Sequence, residues 1–191
     1  SAARALGARL VIAVNLKGVF NCAQAVAPAM IRQGYPPAFA GAVVAAGGVT
    51  TGRHLAAALC LGASGVWTGT LWLACRESDS DMIVKEKLLA ATSDDTVYSR
   101  SISGMPMRIL KCAWTDEWSK PEAPAILPAP YQMLLSAEYI QAANDHRRPD
   151  LMTEAAGQGV DFVKAMKPAR QIVFDMVDET LAAFEELTGD E

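Results

Sequence analysis

The sequence predicts an α/β fold of parallel strands joined by helices, on three observations within residues 41–77. Ala42-Val43-Val44-Ala45-Ala46 is a short apolar run without alternation, the pattern of a strand covered on both faces. Gly65-Val66-Trp67-Thr68 reads as a second strand. Each run ends in a glycine turn that leads into a helix: Gly47-Gly48 ahead of a helix from about Arg53 to Leu61, and Gly69-Thr70 ahead of one from Leu71 to about Arg76. Gly62 closes the first helix, as glycine commonly does just past a helix end.

The repetition of strand, glycine turn and helix points to a ligand. A residue without Cβ lets backbone N–H groups approach a bound molecule, and the unpaired N–H groups at a helix start favour an anion. In (β/α)₈ barrels the loops after strands seven and eight often build such a phosphate site. The expected architecture is therefore a partial TIM (β/α) barrel, its last βα units, with additional helices at both ends. Either turn alone serves equally well as a tight βα connection; the tandem favours a phosphate held by Gly47, Gly48, Gly69 and Thr70.

The stretch VVAAGGVTTGRHLAAALCLGASGVWTGTLWLA resembles the closing segment of the nitronate monooxygenase family, formerly the 2-nitropropane dioxygenases. The likeness continues through SRSISGMPMRIL (99–110) and AAGQGVDFVKAMKPARQIVFDMVDETL (155–181), in the family's order, and spans about residues 41–187. The resemblance implies an FMN-dependent barrel enzyme that oxidises alkyl nitronates with O2, its flavin phosphate held on the two glycine turns. It covers only the back of the family's fold. A complete barrel typically takes about 250 residues and rarely fewer than about 200, so a chain of 191 is expected to be incomplete as an enzyme on its own.

The composition, 51% apolar and 20% charged, is that of a soluble globular protein. A net charge of −4, from 17 basic and 21 acidic residues, gives no footprint for nucleic acid or an anionic membrane. Two histidines and four cysteines without a C-x-x-C pair argue against a zinc site. Cys22, Cys60, Cys75 and Cys112 are expected as free thiols, three of them in apolar surroundings. No signal sequence begins at Ser1, and no apolar run approaches the roughly 20 residues that span a bilayer. The expected location is the cytoplasm; a homo-oligomer stays open.

Residues 1–40 form a separate N-terminal segment in this reading, with 41–191 as the barrel part. Leu10 to Val14 suits a strand or a buried helical turn. From Asn15, apolar residues at Val19, Phe20, Ala23, Val26, Ala27, Met30 and Ile31 make an amphipathic helix that Pro28 kinks or divides. VNLKGVF resembles the opening of a long helix in short-chain dehydrogenases, whose catalytic tetrad includes an asparagine at the position of Asn15. The accompanying nucleotide turn is missing, and no tyrosine has a lysine four residues later. The segment is therefore read as a packing helix, and Pro36-Pro37 as a stiff connector.

Downstream, residues 78–81 cap a helix over Met82 to Ala91, with Met82, Leu88 and Leu89 for burial. Thr96 to Ile102 is β-compatible and leads into a turn, Ser103-Gly104-Met105-Pro106. Arg100 and Arg108 flank that turn, as salt-bridge partners first and anion ligands second. Residues 112–130, with Trp114, Trp118 and four prolines, form an extended loop whose tryptophans pin it to the surface or cap an apolar cavity. A helix over Tyr131 to Ala143, a polar turn over 144–149 and a short helix capped by Asp150 and ending at Gly157 follow. Gly157-Gln158-Gly159 resembles a turn near the end of the family's barrel. The last helix has Pro168 in its first turn, an apolar stripe of Val173, Met176, Val177, Leu181, Phe184 and Leu187 expected in the core, and Gly189 at its close.

No catalytic residue can be named. In the family a histidine of a GGH-type motif meets the substrate; that motif would precede Gly41, where this chain has no histidine. His54 stands near a helix start and is read as exposed, with a phosphate contact as the alternative. His146 is read as solvated. Two other functions remain open: another phosphate-binding barrel of the IMP dehydrogenase type, and a non-catalytic remnant or interaction module.

Overall fold

A computed structural model describes residues 11–13 and 44–189. In chain order it contains β1 (Val11–Ala13), β2 (Val44–Ala46), α1 (Gly52–Cys60), β3 (Gly65–Trp67), α2 (Thr70–Leu73) and α3 (Met82–Ala90). A 3₁₀ turn (Ser93–Asp95), β4 (Thr96–Ser99), β5 (Met107–Leu110), α4 (Ala113–Glu117) and α5 (Tyr131–Asp145) follow, then a second 3₁₀ turn (Gln158–Phe162) and α6 (Ala169–Thr188). The predicted helix and proline connector of 14–40, with Asn15, lie outside the described residues. The chain divides into two compact units, residues 1–69 with 168–191, and residues 70–167.

The first unit holds the expected parallel sheet, in the order β1-β2-β3. Val44 pairs with Val11 on one side and Gly65 on the other, and Ala46 with Ala13 and Trp67. The α/β class is thus as expected, and Val11–Ala13 is a strand rather than a helical turn. Helix α1 runs from β2 to β3 and stops as predicted: Leu61 caps it and Gly62 takes φ +93°. The last helix departs from its predicted packing. Thr180 and Ala183 are buried, whereas Val173, Val177, Leu181 and Leu187 of the predicted core stripe are exposed. The reason is geometric: α6 meets α1 through small and polar residues, which let the two backbones come close.

Gly52 marks that contact. A Cβ there would fall 2.3 Å from the Met176 carbonyl oxygen and 2.6 Å from the Thr180 nitrogen, so only glycine fits. The Thr180 hydroxyl donates to the Gly52 carbonyl at 3.0 Å, and the Glu179 carboxylate accepts from the Gly52 N–H at 2.7 Å.

In the second unit Asp81 caps α3, its Oδ1 accepting from the Ile83 N–H at 2.8 Å. Val84 and Leu88 of α3 enter a core with Leu110, Ala143, Met152 and Val160. Met82 is exposed rather than buried, because its place at the helix start faces away from that core. Lys85 is buried instead: its ammonium donates to the carbonyls of Cys75 and Ser78 at 2.9 and 2.8 Å, holding the turn ahead of the helix.

β4 and β5 form an antiparallel hairpin, Thr96 opposite Leu110 and Ser99 opposite Met107, across the predicted turn with Gly104 at φ +78°. The short helix expected after Asp150 does not form. The Leu110 N–H donates to the Glu154 carbonyl and the Ala156 N–H to the Arg108 carbonyl, so this stretch is drawn out along β5. Asp150 pairs with Arg148 at 2.6 Å instead of capping a helix.

Arg100 and Arg108 also depart from expectation. Arg100 Nε donates to the Gly104 carbonyl and Arg108 Nη1 to the Thr96 hydroxyl, so both brace the hairpin through neutral oxygens. The expected extended loop opens with a short helix, α4, which Trp114 pins in place: its Nε1 donates to the Ser101 carbonyl, and its ring stacks on Tyr139 at 4.0 Å. Cys60 is an exposed free thiol, whereas Cys75 and Cys112 are buried ones. Among the described residues no helix is long and apolar enough to cross a membrane.

Candidate functional site

The two glycine turns leave the same end of the parallel sheet. Gly47 follows Ala46, Gly69 comes two residues after Trp67, and those strand ends are paired neighbours. Gly47 and Gly48 adopt φ +89° and +74°, a left-handed pair that costs a side-chain-bearing residue roughly 1–2 kcal/mol each. Gly47 and Gly69 are exposed. A Cβ built on Gly69 meets nothing within 4 Å, so the space before that turn is open to a ligand. Thr70 opens α2, and its hydroxyl accepts from the Gly157 N–H at 3.0 Å. The structure thus assembles Gly47, Gly48 and Gly69 at one sheet end. It ties Thr70 to the glycine turn singled out at 157–159.

Sequence reasoning missed what occupies the start of α1. The Glu179 carboxylate sits on its first N–H, and the Thr51 side chain accepts from the His54 N–H at 3.2 Å. An anion already serves the positive end of this helix, and it comes from the protein itself. The first turn of α1 is thereby taken by Glu179, whose charge would repel an anion there.

His54 is half-buried rather than exposed. Its Nδ1 accepts from the Thr50 N–H at 3.3 Å, which assigns the ring proton to Nε2. Burial pushes the imidazole below its ordinary pKa, with the nearby Glu179 charge pulling the other way, so the ring is neutral at pH 7. His146 is exposed at the end of α5, as expected.

The nitronate monooxygenase family profile matches residues 23–179. A Mycobacterium tuberculosis protein named as a monooxygenase is 44% identical over 153 residues, covering 77% of this chain and 41% of the relative. The nitronate monooxygenase of Pseudomonas aeruginosa is 31% identical over 137 residues, covering 72% of this chain and 39% of the relative. Among solved structures, the nitroalkane oxidase from Streptomyces ansochromogenes superposes with a TM-score of 0.69 at 31% identity, over 77% of this chain and 41% of that one. The chain spans about two fifths of the length of the relatives it matches. The match over most of the sequence, joined to the paired glycine turns on adjacent parallel strands, makes this chain a member of the nitronate monooxygenase family.

Proposed function

We propose that the chain carries the cofactor-phosphate end of an FMN-dependent oxidoreductase that oxidises alkyl nitronates with O2, with the sheet of the first unit as the closing βα units of a TIM barrel. The observation that supports this most is the pair of glycine turns at one end of neighbouring parallel strands. The residues fit the group: two consecutive left-handed glycines and an exposed Gly69 with open space before it present backbone to an anion without side-chain obstruction. Gly47, Gly48 and Gly69 would donate backbone N–H groups, and Thr70 would contribute its backbone while its hydroxyl stays tied to Gly157. Bound FMN would supply the redox chemistry, accepting electrons from the nitronate and passing them to O2. His54, neutral and accepting through Nδ1, keeps the amide of Thr50 fixed behind the Gly47-Gly48 turn.

Flavin fluorescence titrations test the assignment. A Cβ at Gly69 meets nothing within 4 Å, so Gly69→Val should obstruct ligand approach and weaken FMN binding. Gly62→Ala strains a left-handed residue at the other end of α1 and should leave the affinity unchanged. Equal affinities for the two variants would sink the site. Turnover follows from a second balance: a few charge-assisted hydrogen bonds, each about 1.5–3 kcal/mol net, work against roughly 4–15 kcal/mol of lost translational and rotational freedom. The 191-residue chain by itself should therefore consume O2 with propyl-2-nitronate no faster than free FMN does.

A second reading, a non-catalytic interaction module or a homo-oligomer, draws support from the outward apolar residues of α5 and α6, including Leu134 and Leu181. A stable oligomer free of flavin, measured by light scattering on the purified chain, would favour it.

A further inference from the structure

The second unit contains a cavity of about 450 Å³, open on one side to solvent and lined by α3, α5, the β4–β5 hairpin and residues 151–155. That volume lies within the range of small-molecule sites, about 300–1,000 Å³. Its walls are aliphatic: Val84, Ile102, Ile109, Ile140, Leu151 and Met152. Its polar groups are one-sided in charge. Asp79, Asp81 and Glu154 line it, and among the described residues no lysine, arginine or histidine does. Asp81 is already satisfied, capping α3 and pairing with Arg147 at 3.4 Å. Asp79 and Glu154 have no ion-pair partner among the described residues. Tyr139 offers its ring rather than its hydroxyl, which is donated to the Leu151 carbonyl.

We propose that this cavity binds a small organic cation with an aliphatic body, such as a primary alkylammonium ion, its chain against the apolar walls and its ammonium at the acidic rim to which Asp79 and Glu154 contribute. The same rim repels a nitronate, which is an anion, so the site does not serve the substrate proposed above and stands independently of it. The carboxylates are partly solvated, so the charge selectivity should be strongest at low ionic strength.

Calorimetric titration of the full 191-residue chain with hexylammonium, propylammonium, hexanoate and hexan-1-ol tests the assignment. Hexylammonium should bind saturably, with affinity rising roughly fourfold for each methylene added from propylammonium. Hexanoate should bind more weakly by on the order of tenfold or more. Asp79→Asn combined with Glu154→Gln should bring the two hexyl ions to similar affinities while hexan-1-ol is unaffected. Ile140→Trp, at a half-buried position in the wall, should abolish binding of all four. If that variant fails to fold by circular dichroism, the rim variant alone decides. Absent hexylammonium binding, equal binding of hexanoate by the unmodified chain, or selectivity that survives loss of both carboxylates would each overturn the proposal.

Discussion

In the second unit the fully buried side chains include Leu88, Leu110 and Val160, whereas the described buried apolar residues of the first are mostly alanines, Ala45, Ala46, Ala56, Ala58 and Ala183, with Val49 beside them. Large aliphatic residues fill the one; in the other, among the described residues, several large apolar side chains point outward, with Trp67 64% and Leu181 55% exposed. The difference reflects two ways of holding helices in place. Helix α3 buries apolar volume, and its stability should scale with that volume. Helices α1 and α6 approach until their backbones nearly touch at Gly52, and polar side chains do the holding there. Glu179 takes the N–H of Gly52 and Thr180 its carbonyl.

The largest expected effect tests the burial half of that contrast. Leu88→Ala removes a side chain with no solvent exposure from the second unit's core and should cost about 2–5 kcal/mol. Leu181→Ala removes the same atoms from the face of α6 and should fall within about 0.5 kcal/mol. Chemical denaturation of both variants measures the ratio. Comparable losses would mean that Leu181 is packed in the folded protein and that the outward face of α6 is covered.

A smaller effect tests the close-contact half. Gly52→Ala places a methyl group inside van der Waals range of two backbone atoms and Glu179 Cβ, none of which can rotate away, and should cost about 1–3 kcal/mol. Elsewhere at a helix start the same substitution is favourable, since glycine is a poor helix former. A stabilised Gly52→Ala protein would show that α1 and α6 are not held at this distance.

These two substitutions also show where the sequence was readable. The glycine turns, the strands after which they come and the limits of α1 and α3 follow from local chemistry: apolar runs, caps and φ > 0 positions. The site glycines were legible for the same reason, since Gly47 and Gly48 take the left-handed conformations that make glycine necessary. The face of α6 was not, because periodicity identifies an apolar stripe without saying what lies opposite it. Thr180 and Ala183 pack inward because the facing residue is Gly52, a contact across more than a hundred positions. Asp150 failed similarly. It resembles a helix cap locally, but Arg148 claims its carboxylate, and residues 154 and 156 hydrogen-bond along β5. The Glu179 carboxylate at the start of α1 was invisible from sequence, because its partner Gly52 lies 127 positions away along the chain.

The smallest effect concerns His54, which belongs to the close-contact unit and feels both burial and Glu179. Burial lowers its pKa in the folded chain, so on acidification the unfolded chain takes up this proton first, near the ordinary histidine value of about 6.5. The contribution of neutral His54 is therefore fully present above that pH and fades as the pH falls towards the folded-state value. His54→Gln should flatten the stability profile below about pH 6.5 relative to the unmodified protein. Glu179→Gln acts the other way on the same ring: removing a charge that raises the His54 pKa should lower it further and widen the acid-sensitive window. The chain has two histidines, so imidazole proton resonances in a His146→Gln background follow His54 alone. A His54 titration unmoved by Glu179→Gln would place that carboxylate too far from the ring to act on it.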